Sequence, residues 1–371
     1  MRATTRALAL GAALALASPA YAQQLVRELE LNGGLSVEAY RGNLAAATAA
    51  VPDSTDRADA AVGEIGVRGM VALHESERRW AFLGFDGGFR QFAAGGFVVR
   101  DYAPREWVGQ GALSYSQLLG DWGSATTRLG WRGRSVKDRP PMPLFLQPGF
   151  GIATASLKLE LNEIDQVRLD VQTDAEWADY SAQRFARQLD LLDRRSQGVE
   201  VGAAWGERAM VRVFGALRQS RYPNQATFDT KDPVRRDHTI QAGFSWTIDA
   251  PVTAEVGIEG TVNRSNSRRP EYDAVSLRSL VSVPLPFDIG ATVLAVVTGK
   301  SYVNQSDFKV LVPGEEADNA SVVYLDLARP VALGLDASLR LGWTRAEADV
   351  NDAYFQRFGV SMLLRYRPGG F

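Results

Sequence analysis

The sequence lacks several of the residues on which enzyme and metal sites depend. It contains no cysteine, which excludes a disulfide framework and a lipid-carrying thiol behind a leader segment. Only two histidines occur, His74 and His238, and no phosphate-binding glycine loop, metal-ligand spacing or haem motif is present. We therefore expect neither catalysis, nor a cofactor, nor a metal site.

Long apolar runs and an excess of one charge are also missing. A transmembrane helix needs about 18 consecutive apolar residues, and no such run follows the N-terminal segment. The formal net charge of −2 gives no indication of nucleic-acid binding. Charged residues stand singly between apolar ones instead of forming a tail. This distribution suits a sheet with one apolar and one wet face.

The N-terminus has the three parts of a secretory signal peptide. Arg2 and Arg6 form a basic start, residues 7–17 are apolar, and residues 20–22 read Ala-Tyr-Ala, a typical cleavage site. The apolar part is too short to span a bilayer as a helix. We predict that residues 1–22 are removed and that the chain leaves the cytoplasm.

The remaining chain divides into strand-like segments in which apolar and polar residues alternate. Residues 240–248 illustrate the pattern, with Ile240, Ala242, Phe244, Trp246 and Ile248 in strict alternation. Short and long connections alternate between the segments. The sixteen predicted strands lie near residues 25–41, 58–74, 79–93, 105–119, 122–134, 149–161, 165–178, 198–205, 208–219, 237–248, 252–264, 274–285, 287–302, 321–329, 333–345 and 355–371.

The last strand carries a terminal pattern of its own. One face holds Phe358, Val360, Met362, Leu364 and Tyr366, and Phe371 ends the chain. An alternating final strand with a terminal aromatic resembles the C-terminal insertion signal of bacterial outer-membrane β-barrel proteins. In this chain Pro-Gly-Gly at 368–370 separates the alternation from the final Phe, which departs from that pattern.

The resemblance implies that the last strand pairs with the first and closes a cylinder. It also implies a location in the cell outer membrane, contact with outer-membrane lipid and lipopolysaccharide, and recognition by barrel-insertion machinery. We predict that residues 23–371 form a single all-β domain. Its fold class is a transmembrane antiparallel up-and-down β-barrel of about sixteen strands (14–18), with short periplasmic turns and longer extracellular loops.

Two residue sets follow from this prediction. Charged residues opposite the apolar face are predicted to line the lumen, where water solvates them: Glu30, Glu64, Arg68, Arg128, Arg132, Lys158, Glu160, Arg168, Asp170, Glu200, Arg212, Glu255, Glu259, Arg278, Asp326, Asp336, Arg340 and Arg365. The tryptophans fall near predicted strand ends, as an aromatic girdle at each membrane interface requires: Trp80, Trp107, Trp122, Trp131, Trp177, Trp205, Trp246 and Trp343.

Arginine pairs recur in the predicted outer loops. They are Arg194-Arg195, Arg235-Arg236 and Arg268-Arg269. Guanidinium groups suit phosphate, and the outer leaflet of such membranes is rich in phosphorylated lipopolysaccharide. The alternative interpretation is ordinary solvated charge on a loop.

Three functions are compatible with such a barrel. The first is a porin-like channel through which small hydrophilic solutes or ions diffuse passively. The second is an export barrel for an exopolysaccharide, and the third is a closed structural or adhesive barrel. A homo-oligomer is compatible with each, and the sequence names no solute.

Overall fold

The structure is a computed structural model of the 371-residue chain. It describes residues 25–42, 57–95, 105–137, 149–162, 166–180, 193–206, 209–227, 232–250, 252–267, 271–303, 321–347 and 354–368. Predictions about the signal peptide, Arg268-Arg269 and Phe371 lie outside these ranges.

Sixteen β-strands account for nearly all of the described chain. They are β1 (Val26–Gly42), β2 (Arg57–Glu75), β3 (Arg79–Gly95), β4 (Arg105–Leu118), β5 (Gly123–Lys137), β6 (Phe150–Leu161), β7 (Val167–Tyr180), β8 (Arg194–Trp205), β9 (Ala209–Ala226), β10 (Val234–Asp249), β11 (Thr253–Ser265), β12 (Tyr272–Leu285), β13 (Ile289–Tyr302), β14 (Ser321–Ala332), β15 (Leu335–Glu347) and β16 (Tyr354–Tyr366). Within these ranges no helix is long and apolar enough to cross a membrane.

The strands form one closed antiparallel sheet. Each strand pairs with its neighbours in the chain, and β1 pairs with β16 from Leu31–Tyr366 to Gly42–Phe355. The predicted sixteen-stranded up-and-down barrel is therefore confirmed. Closure gives every strand a paired neighbour on both sides, which a sheet in lipid requires because no water is there to satisfy backbone groups.

The two ends of the barrel differ in the length of their connections. The connections after even-numbered strands are short, from two to five residues, and lie at the end where β1 begins and β16 finishes. We call this the turn end. The connections after odd-numbered strands are longer, and we call their side the loop end. The predicted alternation of short and long connections is confirmed.

Several strands extend beyond the predicted limits at the loop end, and three of them lie side by side. β8 begins at Arg194, β10 begins at Val234, and β9 continues to Ala226. The prediction that Arg194, Arg195, Arg235 and Arg236 belong to loops is therefore wrong. Hydrophobic alternation stops at the edge of the apolar layer, but the backbone ladder continues among polar residues because hydrogen bonding does not need apolar side chains.

Exposure alternates between the two faces of each strand. In β1, Leu35 and Val37 are 72% and 64% exposed, whereas the intervening Ser36 and Glu38 are 4% and 5% exposed. Side chains converge on the concave face of a closed sheet and diverge on the convex one. The exposed apolar face is therefore the outside of the barrel. We call it the apolar face and its opposite the charged face.

The seam between β1 and β16 depends on one glycine. A Cβ on Gly34 would lie 2.4 Å from the Met362 carbonyl oxygen and 2.5 Å from Leu363 Cδ2. A Cβ on the adjacent Gly33 would meet nothing closer than 3.7 Å. Only Gly34 thus permits the close approach of the two closing strands.

Gly34→Ala is expected to weaken closure, because the added carbon forces the two strands apart. Overpacking of this kind costs about 1–3 kcal/mol in the free energy of unfolding. Urea titration of the protein folded into liposomes measures that quantity. Gly33→Ala is the matched control, since it makes the same chemical change with room available. Equal losses in both variants would contradict this role of Gly34.

Candidate functional site: the charged face of the barrel

The strand registers place all of the predicted lumen-lining residues on the charged face. In β1 to β3, for example, Glu64 pairs with Gly34 on one side and Arg90 on the other, and Arg68 pairs with Glu30 and Asp86. The same parity runs through the other registers to Arg340, Arg365 and Asp336 in the last strands. That these side chains meet an aqueous lumen stays a prediction.

A network centred on Arg90 connects strands β1 to β5 near the loop end. Arg90 lies 2.5 Å from Glu38, 3.3 Å from Glu64 and 3.5 Å from Glu106. Arg134 lies 2.8 Å from the other oxygen of Glu106. We call these five residues the Arg90 network. Because Glu38 and Glu106 are each only 5% exposed, both carboxylates depend on these arginines for compensation.

An apolar cluster covers the Arg90 network on its loop-end side. The cluster comprises Tyr40, Ala60, Val62, Phe92 and Val136, all buried. Tyr40 donates its hydroxyl hydrogen to Glu38, and the Arg90 guanidinium lies over the Phe92 ring, 5.0 Å from its centre. Packing of this kind excludes water and strengthens the ion pairs below it.

A second cluster joins β7, β8 and β9 toward the turn end. Arg212 lies 2.9 Å from Asp170 and 2.7 Å from Glu200. A Cβ on Gly202 would lie 2.6 Å from the Arg212 guanidinium, so the absence of a side chain there leaves room for this arginine. Arg212 on β9 thus compensates one carboxylate on β7 and one on β8.

A third cluster lies at the seam of the barrel. Asp326 lies 2.8 Å from Arg340 and 3.3 Å from Arg365. Arg367 lies 3.2 Å from Glu30 and 3.1 Å from Asp336. These contacts connect β14, β15, β16 and β1, so they support closure as well as lining the charged face.

The wall of β7 to β11 carries further pairs near the loop end. Arg194 lies 2.9 Å from Glu176, and Arg235 lies 2.5 Å from Asp237. The Arg235 guanidinium also lies 3.9 Å from the centre of the Tyr222 ring. Arg235 and Asp237 are both buried, so this pair is part of the packed wall.

Four further predicted residues, Arg68, Lys158, Glu160 and Arg168, have more exposed partners. Arg68 lies 3.3 Å from Asp86, and Lys158 lies 2.7 Å from Glu160. Arg168 donates to the sulfur of Met210.

Five more predicted residues contact mainly polar or aromatic groups, or form no ion pair within the described ranges. Arg132 lies over Phe150, with 5.6 Å to the ring centre, and Glu259 accepts a hydrogen bond from Gln241 at 2.8 Å. Arg128, Glu255 and Arg278 form no ion pair with any residue in the described ranges.

The predicted aromatic girdle is only partly on the outer wall. Trp107, Trp131, Trp177, Trp205 and Trp246 are exposed on the apolar face, and Trp343 is half-buried there. Trp122 is exposed in the single-turn 3-10 helix Gly120–Trp122. Trp80 instead pairs with Ser116 and shares the parity of Asp86 and Arg90. It lies on the charged face, which does not meet lipid in a closed barrel.

The residues of the C-terminal pattern lie on the outer wall of the barrel. Phe358, Val360, Met362, Leu364 and Tyr366 are all exposed on the apolar face of β16. Their role as an insertion signal remains a prediction.

Sequence reasoning missed the centre of the Arg90 network. The predicted lumen-lining set included only Glu64 of this network, and Arg90, Glu106 and Arg134 were not selected. Alternation within β3, β4 and β5 would have placed them on the charged face. Nothing local to any one strand shows that these side chains meet, because contact depends on the register across five strands. Among the described residues, no cluster of His, Asp and Glu could hold a metal ion.

Comparison with known proteins gives similarity of fold only. No protein-family model matches the chain, and no curated protein matches it. A "Bacterial polysaccharide outer membrane secretin" is 12% identical, over 92% of this chain and 98% of that one, with a TM-score of 0.40. OccK2 (OpdF) of Pseudomonas aeruginosa, in complex with glucuronate, is 10% identical over 92% and 96%, with a TM-score of 0.45.

A third solved structure is equally distant. OmpF of Salmonella typhi, in complex with daunomycin, is 12% identical over 90% of this chain and 97% of that one, with a TM-score of 0.40. Such values carry no argument about solute or mechanism. The closed sheet with an apolar outer wall is itself the architecture of an outer-membrane β-barrel protein, and it places the chain in the cell outer membrane.

Proposed function

We propose that the protein is an outer-membrane channel through which small hydrophilic solutes or ions diffuse passively. The observation that carries this proposal is the complete separation of the predicted charged set from the apolar face in a closed barrel of sixteen strands. Barrels of about sixteen strands are wide enough for an aqueous channel. Charges of both signs on the inner wall are stable when water solvates them or when they pair. No catalytic step is part of the proposal.

The proposed lumen has, on two separate walls, charges that form no ion pair with any residue of the described part of the chain. Arg128 and Arg132 lie on β5, whereas Glu255 and Glu259 lie on β11, nearly across the barrel. The electric fields of two paired charges largely cancel at a distance. Charges that form no ion pair therefore have the larger influence on a passing ion. They are the best candidates for residues that set selectivity.

Arg128→Gln/Arg132→Gln is expected to shift the channel toward cations. A change of about one kT in the local potential raises the local concentration of monovalent cations, and lowers that of monovalent anions, each by a factor of about three. The cation-to-anion permeability ratio should therefore rise about sevenfold. The reversal potential of single channels in a planar bilayer, under a salt gradient, measures this ratio.

Arg41→Gln/Arg105→Gln provides the matched control, because it removes two exposed arginines from the apolar face. The control should leave the ratio unchanged. A lumen role for Arg128 and Arg132 is excluded if both double variants shift the reversal potential equally. Absence of any conductance from the folded wild-type protein would favour the closed structural barrel instead.

Export of an acidic polysaccharide is the second candidate. It is favoured by aromatic rings on the charged face near the loop end, where Lys300 lies 4.2 Å and 4.5 Å from the ring centres of Tyr272 and Tyr302. Such rings, together with cations, suit stacked, negatively charged sugars. Addition of a uronic-acid oligosaccharide during the same recordings separates the two functions. Long blockades by the oligosaccharide, with none by an uncharged one of equal length, would favour export.

A further inference from the structure

Three arginines lie side by side on the outer wall of β8, β9 and β10, close to the loop end. Arg195 pairs directly with Arg221, and Arg221 pairs directly with Arg236. All three share the face of Trp177, which pairs with Arg195 and is 50% exposed. We call Arg195, Arg221 and Arg236 the arginine row. Neighbouring strands are about 4.8 Å apart, so three like charges fall within about 10 Å.

Within the described ranges, only one of the three arginines of the row has a carboxylate partner. Arg236 lies 3.4 Å from Asp232. Neither Arg195 nor Arg221 makes an ion pair with a described residue, although both are exposed. Like charges directly opposite each other in a sheet are destabilising. A bound anion at this position would remove that repulsion.

A groove runs across the outer wall directly below the arginine row. Its loop-side edge is formed by outward side chains of one register row: Ala155, Ala175, Gln197, Gln219 and His238. Its other edge is the next outward row: Leu157, Thr173, Val199, Leu217 and Ile240. The inward-facing row between them contributes the floor. The groove has a volume of about 880 Å³.

The upper edge of the groove is polar, although it lies on the apolar face. Gln197 donates a hydrogen bond to Gln219 at 3.3 Å, and His238 pairs with Gln219 in the next strand. Polar groups that face hydrocarbon without partners are costly. The remaining amide and imidazole groups can hydrogen-bond to a polar linkage between a charged head and an apolar tail.

We propose that this region, the arginine row with the groove below it, binds one phosphorylated lipid of the outer leaflet. Arg195 and Arg221 bind the phosphate, because guanidinium groups form bidentate, charge-assisted hydrogen bonds with phosphate oxygens. Gln197, Gln219 and His238 contact the polar linkage, and an acyl chain lies along the groove against Leu157, Val199 and Leu217. The order of phosphate, polar linkage and acyl chain follows the direction from the loop end into the bilayer.

A lipid fits this region better than a second copy of the chain does. A two-fold interface brings the same patch of both subunits together, so it would place one arginine row against another. The region also lies on the face that meets the bilayer. An anionic lipid of that bilayer supplies the negative charge that the arginine row lacks. The proposal depends on the placement of the barrel in the outer membrane and not on its conducting solutes.

Native mass spectrometry of the detergent-purified, folded protein tests the proposal. The probe is lipid A with two phosphates, titrated beside the same lipid after enzymatic dephosphorylation. The wild-type protein should retain one molecule of the phosphorylated form and bind the dephosphorylated form at least about tenfold more weakly, since the charge-assisted contacts are lost. Excess inorganic phosphate should not displace the bound lipid, which distinguishes a lipid site from a simple anion site.

Two variants and one control assign the contacts. Arg195→Gln/Arg221→Gln should weaken binding of phosphorylated lipid A by about tenfold or more. Ala155→Phe/Ala175→Phe fills the groove and should weaken both forms of the lipid. Arg41→Gln/Arg105→Gln removes two arginines from another part of the outer wall and should leave binding unchanged.

Three results would overturn the proposal. The first is equal binding of the phosphorylated and dephosphorylated lipids to the wild type. The second is equal loss in the arginine variant and its control. The third is a lipid-independent dimer that disappears in Arg195→Gln/Arg221→Gln, which would assign the region to a second copy of the chain.

Discussion

Arg90→Met is expected to lower the free energy of unfolding by about 3 kcal/mol, because removing one partner of a buried ion pair leaves an uncompensated charge. Among the described residues, Arg90 alone contacts Glu38, Glu64 and Glu106 together. Methionine keeps much of the volume and the contact with Phe92. The loss is placed at the lower end of the usual range, since Arg134 still compensates Glu106. Urea unfolding of the protein in liposomes measures the change.

Arg68→Met is the matched control for the Arg90 network. Arg68 pairs with Asp86 at 3.3 Å, with side chains 57% and 36% exposed. Pairs this exposed contribute about 0–1 kcal/mol, so the control should lose little stability. Adding Glu38→Gln to Arg90→Met should recover part of the loss, because it removes a buried charge. If Arg68→Met proved as costly as Arg90→Met, burial would not be the reason for the effect.

Leu277→Arg is expected to destabilise the folded barrel by about 2–4 kcal/mol, the cost of placing an arginine against hydrocarbon near the bilayer midplane. Leu277 is 49% exposed in the middle of β12, on the apolar face. The same unfolding measurement in liposomes gives the value. Leu277→Ala reports the part of the loss that comes from side-chain contacts alone.

Ser276→Arg tests the opposite face with the same new residue. Ser276 is the adjacent residue of β12, and its hydroxyl lies 2.9 Å from that of Thr298 on the charged face. Losing that hydrogen bond costs about 1 kcal/mol, and the arginine itself should be solvated. A greater loss for Ser276→Arg than for Leu277→Arg would reverse the assignment of outer and inner faces.

The number of strands and the face of each side chain were predictable from the sequence, because both depend on a local repeat. Side chains alternate with a period of two, so Leu35 and Glu38 belong on opposite faces whatever their neighbouring strands are. The same rule would have placed Trp80 with Arg90. Proximity to a strand end, the criterion used for the tryptophans, does not distinguish the two faces, and for that reason Trp80 was assigned to the wrong one.

Strand limits at the loop end were harder to predict. The ladder of β8 and β10 continues through Arg194, Arg195, Arg235 and Arg236, where no apolar alternation remains. Backbone pairing persists there because the neighbouring strands supply partners. The arginines that were assigned to loops therefore lie on both faces of the wall, and this placement creates the arginine row.

The sequence by itself determined the strands and the separation of an apolar from a charged face, since local alternation and the spacing of the turns encode both. Only the tertiary structure decided which charges meet. Glu38 and Arg90 are separated by 52 positions in the chain and come together through the register of β1, β2 and β3. Register and curvature are properties of the whole sheet. For that reason the Arg90 network and the groove below the arginine row follow from the assembled barrel and not from any single strand.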